Sequence, residues 1–296
     1  MTRVRGIYRW TDCGYLSGWR LQTHYRDGTY RLLHPRKGVV CRGTEAACRQ
    51  ELTQIGERER LSRPTGRLIV VLHGLARNAW SMSSLVTYLR RAWPETEVVG
   101  YQYASTSGPV VNHARHFARF MEYGERASAV DFVGHSLGNI VLRRAFRLAE
   151  QGEWRLPRLG SLVMLGPPNQ GSQMAVRLQN WMTVTWFNGA AFMQLGRDWK
   201  TFVSELAVPH CPFGVIAGHI PLATRFHPLL TGPTDILVRV EETHLAGEAD
   251  FLEVNVPHAW LMNSKRVQAA TLSFLKSGRF DPLDVSAPVQ SVAATE

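Results

Sequence analysis

The sequence predicts an α/β protein built on a mostly parallel sheet flanked by helices, with a small β-rich module in front of it. Three observations predict this class. Short unbroken apolar runs recur between residues 68 and 217, separated by helical patterns. A serine flanked by glycines stands where the third of these runs gives way to a helix. Within the first sixty residues, the stretch 16–34 instead alternates apolar and polar side chains.

In chain order, Trp19 to Tyr25 and Thr29 to Leu33 alternate as half-buried strands do, and Arg26-Asp27-Gly28 between them is a hairpin signal. A helix is expected over residues 45–55, with Ala46, Ala47, Leu52 and Ile55 on its packed side. Residues 1–60 thus form a small module. The polar stretch Gly56 to Gly66, broken by Pro64, reads as a linker or an exposed helix end.

The main domain spans 61–280. Its predicted strands are 68–72, 98–101, 129–133, 161–165, 213–217 and a final one over 251–257. Runs rich in Val, Ile and Leu suit parallel strands covered on both faces. After the third strand, Leu137, Val141, Ala145 and Leu148 recur at helical spacing, with Arg143, Arg144 and Arg147 between them, so one face of that helix should pack on the sheet. A further helix is expected over 259–275. From Asp281 to Glu296 no periodicity remains, which reads as a disordered tail.

Composition sets limits. A chain of 296 residues with 45% hydrophobic and 20% charged side chains can bury a sizeable core. No run of about 18 apolar residues predicts a membrane span, and the N-terminus lacks the apolar stretch of a signal peptide, which points to the cytoplasm. Cys13, Cys41, Cys48 and Cys211 have no C-x-x-C spacing, so neither a zinc site nor a dithiol motif is indicated, and a reduced compartment suits them. The net charge of +10 is spread mainly over arginines and favours anionic surfaces, leaving room for transient contact with a membrane; no nucleic-acid partner is expected.

The chemistry-bearing pattern is Gly134-His135-Ser136-Leu137-Gly138 between strand and helix. There a serine is presented on a tight turn, and the flanking glycines let strand and helix approach closely. A serine hydroxyl needs a histidine to take its proton and a carboxylate to orient that histidine. Among the later histidines, His210, His219, His227, His244 and His258, the best placed is His258, which follows the last strand. Asp235, in the loop after the strand at 213–217, is the preferred acid over Glu241, Glu242 and Asp250; Asp131 precedes the serine and fails the chain order. The amides of Leu75, after His73-Gly74, and of Leu137, at a helix start, are placed to form an oxyanion hole. The aromatic-rich segment 173–203 reads as part of a helical cap over about 173–210, with Trp181, Trp186 and Phe187 as substrate-binding residues. No cofactor and no metal are expected.

On His73-Gly74-Leu75, Gly134 to Gly138, the Gly166-Pro167-Pro168-Asn169-Gln170-Gly171-Ser172 stretch, the Asp235 loop and His258, the chain resembles the lipase and esterase branch of the α/β-hydrolase superfamily, over about residues 66–277. The proline-glycine-serine stretch is similar to that of bacterial triacylglycerol-lipase-like proteins. The resemblance implies a metal-free acyl-enzyme mechanism on a small-molecule acyl ester or lipid, with Ser136 attacking, Leu75 and Leu137 amides holding the oxyanion and His258 activating water. An acyltransferase or thioesterase using the same residues, and a non-catalytic binding protein on this fold, are the alternatives. Residues 1–60 have no counterpart in the minimal fold.

Overall fold

The structure, a computed structural model, describes residues 9–171, 190–195, 198–220, 234, 235 and 237–281. The tail from 282 and most of the expected cap lie outside the described residues.

The N-terminal module is a four-stranded antiparallel sheet in sequence order: β1 Trp10–Leu16, β2 Trp19–His24, β3 Tyr30–His34 and β4 Gly38–Gly43. The Asp27-Gly28 turn joins β2 to β3, with Asp27 Oδ1 accepting from the Thr29 amide at 3.0 Å and Gly28 at φ 66°. Sequence reasoning had no signal for β1 and β4, because Gly14 and the glycines at both ends of β4 interrupt the alternation, and both ladders carry a register shift. Helix α1, Glu45–Arg58, opens on Thr44, whose hydroxyl accepts from the Ala47 amide. It packs through Cys48 and Ile55, with Leu52 partly buried; Ala46 and Ala47 are exposed, contrary to expectation.

The main domain carries a six-stranded sheet whose neighbours all run parallel, in the order β10-β9-β8-β7-β5-β6. The strands are β5 Arg67–Leu72, β6 Glu97–Tyr101, β7 Ala129–His135, β8 Leu159–Leu165, β9 Phe213–Gly218 and β10 Asp250–Val254. The described helices of this domain are α2 Ser83–Ala92, α3 Val110–Phe120, α4 Leu137–Glu150, the short α5 Ala190–Leu195, α6 Trp199–Phe202 and α7 Val240–Thr243, and α8 Lys265–Ser277. The pleat divides the core in two. Leu68, Val70 and Leu72 of β5 join the cluster under α3 and α4, while Ile69 and Val71 join the one under α2 and α8. Both faces are therefore dry, which is why these strands read as unbroken apolar runs.

Two expectations are refined. The helix foreseen over 259–275 is a 3-10 turn, His258–Asn263, followed by α8; the break falls at Ser264, whose hydroxyl caps α8 through the Val267 amide. Helix α4 is covered on more than its sheet face, so Arg143 and Arg144 are buried at 3% and 8% exposure. Arg143 Nε–H donates to the Ala207 carbonyl at 2.9 Å and Nη1–H to Asn169 Oδ1 at 3.1 Å, and burial lowers its pKa to about 10.

The module locks onto the main domain through β1. Asp12 is fully buried; its carboxylate accepts from the Gln102 amide at 2.9 Å and from Gln22 Nε2 at 2.7 Å, and pairs with Arg20. Arg20 Nη2–H also reaches the Gly100 carbonyl on β6 at 2.9 Å, and the Ala104 amide donates to Thr11 Oγ1 at 3.0 Å.

Candidate active site

The strand β7 hands the chain to α4 at Ser136, which adopts φ 52° and ψ −121°. This is a left-handed conformation that a non-glycine residue adopts only when its surroundings enforce it. They do so at several points. The Ser136 amide donates to the Leu165 carbonyl at 2.9 Å, fixing the turn to the end of β8. A Cβ on Gly138 would lie 2.8 Å from the His73 carbonyl oxygen and 2.9 Å from that of Leu72, so only glycine lets α4 sit this close to β5. A Cβ on Gly134 would overlap the Asn139 side chain.

His73-Gly74-Leu75 meets this turn directly. A Cβ on Gly74 would stand 3.1 Å from Ser136 Cβ, so the loop after β5 passes against the serine, and Leu75 is its next residue. Leu137 opens α4, where the first-turn amides have no helical acceptor. The loop is braced from behind. His73 is wholly buried, donates from Nδ1 to the Gly74 carbonyl at 2.9 Å and stacks on Tyr103 with ring centroids 4.3 Å apart. Tyr103 O–H donates to the His73 carbonyl at 2.7 Å, and burial pushes the His73 pKa down to about 4, keeping the ring neutral. Gln102 Oε1 accepts from the Ala79 amide at 2.9 Å at the far end of the same loop.

His258 and Asp235 come together across 23 residues of sequence. His258 Nδ1–H donates to Asp235 Oδ2 at 2.6 Å, and the His258 amide donates to the Asp235 carbonyl at 3.1 Å. The other carboxylate oxygen, Oδ1, accepts from the amides of Leu237 at 3.0 Å and Val238 at 2.8 Å. Both side chains are buried, at 5% and 1% exposure. The imidazole lies against Gly166, where a Cβ would be 3.0 Å from Nδ1. Since Gly166 directly follows Leu165, the carbonyl of which anchors Ser136, the serine turn and the imidazole share one strand end.

His135 joins the two halves of the site. Its Nε2–H donates to the His258 carbonyl at 3.0 Å, and its ring centroid is 4.8 Å from that of His258. Burial holds its pKa well below the ordinary histidine range, so it stays neutral. Sequence reasoning missed this residue; its position inside the glycine-flanked pentapeptide was the available signal.

The remaining candidates are placed elsewhere. His210 bonds Glu150, His244 bonds Glu248 at 2.7 Å and stacks on Phe251, and His219 pairs with Glu253. Glu242 Oε2 accepts from the Arg239 amide in a local cap, Glu241 pairs with Arg239, and Asp250 accepts from the Phe280 amide at 2.7 Å. Asp131 is fully buried on β7 and bound by Arg67 and by the Ser161 amide. His227 and the expected substrate-binding residues Trp181, Trp186 and Phe187 lie outside the described residues. The Gly166–Ser172 stretch gains a structural role as far as Gly171: Asn169 Nδ2–H donates to the Thr243 carbonyl at 2.8 Å while its Oδ1 holds Arg143. No group of three metal-ligating side chains occurs among the described residues, and none of their helices is long and apolar enough to cross a membrane.

No family model matches the chain, and no curated protein matches it in sequence. Solved structures do. The mature form of the lipase BlEst2 from Bacillus licheniformis superposes with a TM-score of 0.55 at 15% identity, over 71% of this chain and 91% of that one. A gene product of Listeria innocua superposes with a TM-score of 0.50 at 15% identity, over 72% of this chain and 94% of that one. Both are α/β-hydrolases in architecture. The parallel sheet, the serine turn at the end of β7 and these likenesses together show that the chain has the α/β-hydrolase fold.

Proposed function

We propose that the protein hydrolyses carboxylic esters of lipid-like acyl groups through an acyl-enzyme on Ser136. The observation that carries this reading is the buried 2.6 Å bond between His258 Nδ1 and Asp235, on a loop that packs against the strained serine turn. A carboxylate at Nδ1 leaves Nε2 as the basic nitrogen, the one that accepts the Ser136 proton as the hydroxyl attacks the carbonyl carbon. The amides of Leu75 and Leu137 receive the developing oxyanion. Collapse expels the alcohol, which takes the proton from His258, and a water activated by the same nitrogen then releases the acid. Asp235 is pre-oriented for this by two backbone amides on Oδ1, so the imidazolium forms beside a fixed negative charge. Trp181, Trp186 and Phe187 supply the apolar surface for the acyl chain. The lipase among the structural neighbours points to the same chemistry.

The test is fluorophosphonate labelling of the wild type, Ser136→Ala and His258→Ala at matched folded concentration, with p-nitrophenyl esters of increasing chain length followed in parallel. Labelling that both substitutions abolish, with turnover rising toward longer acyl chains, is the expected result. Folded wild-type protein that neither labels nor turns over any ester would overturn the proposal.

A further inference from the structure

Three loops surround the serine turn, and each presents an exposed apolar side chain. Of the seven large hydrophobic residues exposed among the described residues, Trp80 is 82% exposed on the loop after β5, Trp260 is 61% exposed two residues after His258, and Leu237 is 43% exposed two residues after Asp235. The segments that carry the two tryptophans adjoin. Arg77 Nη2–H donates to the Ala259 carbonyl at 3.1 Å, tying the loop that precedes Trp80 to the residue that precedes Trp260. The helices that follow them, α2 and α8, pack together, with Gln268 Nε2–H donating to Ser84 Oγ at 2.8 Å. An exposed indole is costly in water, and two on adjoining loops call for a partner.

The charge around them is one-sided. Residues 73–89 contain Arg77 and no Asp or Glu, and residues 254–275 contain Lys265 and Arg266 and again no Asp or Glu; Arg90, on the Val98 carbonyl, and Lys276, over Trp93, lie at the other end of the strands. The nearest acids in sequence, Glu95, Glu253 and Asp281, fall outside. Lys265, exposed, and Arg266, half-buried, open α8 directly beyond the turn that carries Trp260, and neither forms an ion pair among the described residues. Indole rings combined with unpaired cations fit one kind of partner well. The ring settles at the depth of the lipid headgroups, and the cations meet anionic phosphates there.

We propose that the edge formed by Trp80, Trp260 and Leu237, with Arg77, Lys265 and Arg266 beside it, docks on an anionic lipid surface and so turns the mouth of the Ser136 site toward the membrane. Docking is independent of the chemistry at Ser136, so it is read by binding alone. The face is specific: Arg155 and Arg158, which form no ion pair among the described residues, sit before β8 at the opposite end of the strands and take no part.

The experiment is co-sedimentation of the full chain with vesicles of phosphatidylcholine mixed with phosphatidylglycerol and with vesicles of phosphatidylcholine alone, folding being checked by urea midpoint and near-ultraviolet dichroism. The wild type should bind the anionic vesicles and lose them with added salt. Lys265→Gln and Arg266→Gln should each weaken binding about fivefold, and the double variant Trp80→Ser/Trp260→Ser at least about tenfold. The double variant Arg155→Gln/Arg158→Gln should bind as the wild type does. Equal losses from the cations at both ends of the strands would overturn the proposal in favour of diffuse charge attraction. Wild-type affinity in the folded tryptophan variant, or no sedimentation of the wild type, would overturn it outright. So would tighter binding to a short DNA duplex than to the vesicles, because that assigns the basic edge to nucleic acid.

Discussion

Asp12 and Gln102 hold one another by reciprocal bonds: the Asp12 amide donates to the Gln102 carbonyl at 2.8 Å, and the Gln102 amide donates to Asp12 Oδ2 at 2.9 Å. One residue belongs to the antiparallel module and the other follows the edge strand β6. Because the Gln102 side chain also accepts from the Ala79 amide, the contact extends to the loop that passes Ser136. Asp12→Ala leaves the Gln102 amide and Gln22 Nε2 without their acceptor in a buried place and removes the carboxylate that pairs with Arg20. It should cost about 3 kcal/mol of unfolding free energy, measured by urea denaturation; a loss below about 1 kcal/mol would mean that the two sheets do not depend on this pair.

Asp235→Asn keeps the shape of the acid but not its charge. The amide can present a donor to Nδ1 and trap the imidazole in the wrong tautomer. On the proposed mechanism kcat should fall about 10⁴-fold with little change in KM. Steady-state kinetics on a soluble ester decide it, and a fall of less than about tenfold would remove Asp235 from the reaction.

Gly138→Ala places a methyl group 2.8 and 2.9 Å from two main-chain carbonyl oxygens, which cannot swing aside as a side chain can. The turn must open, so the variant should lose about 2 kcal/mol or more of stability and most of its labelling by fluorophosphonate. Wild-type stability and labelling together would show that α4 has room to retreat.

Burial lowers the pKa of His73 to about 4 and of His113 to about 3. Both folded values lie below the unfolded value of about 6.5, so below that pH the unfolded chain binds the extra protons. Their contribution is complete above about pH 6.5 and is lost as the pH falls toward the folded values, by about 1.4 kcal/mol per pH unit and group. Urea midpoints should therefore drop steadily between about pH 6.5 and pH 4. His113→Phe should make that decline shallower by one proton, since His113 Nε2 has no hydrogen-bond partner among the described residues. An unchanged slope would mean that His113 does not titrate with unfolding.

The sequence was most legible where one cause acts alone. The parallel strands announced themselves because both faces are dry, and Ser136 because a strand, a tight turn and a helix leave few other arrangements for its glycines. The Asp27-Gly28 hairpin was equally plain. Long-range pairings were not legible. Arg143 looks like a solvated helix charge until Asn169 and the Ala207 carbonyl, 26 and 64 residues away, close over it. The roles of Asp12 and His135 could not be read from the sequence, because nothing near them in the chain indicates Gln102 or the His258 carbonyl. The side of α1 that packs was misjudged for a related reason: small alanines fit a buried face or an exposed one equally well, and the neighbouring sheet selects Cys48 instead.

The interlocking of β1 with the chain after β6 also bears on how such a protein changes over generations. The amides of Gln102 and Ala104 take their acceptors from Asp12 and Thr11, so the first strand and the segment beyond β6 are complementary halves of one joint. A gene rearrangement that transplanted the codons of residues 1–60 onto a different protein of this fold would carry only one half. Descent should therefore have kept the two together, and recombination should tolerate crossovers inside the surface turns of the module far better than at its seam.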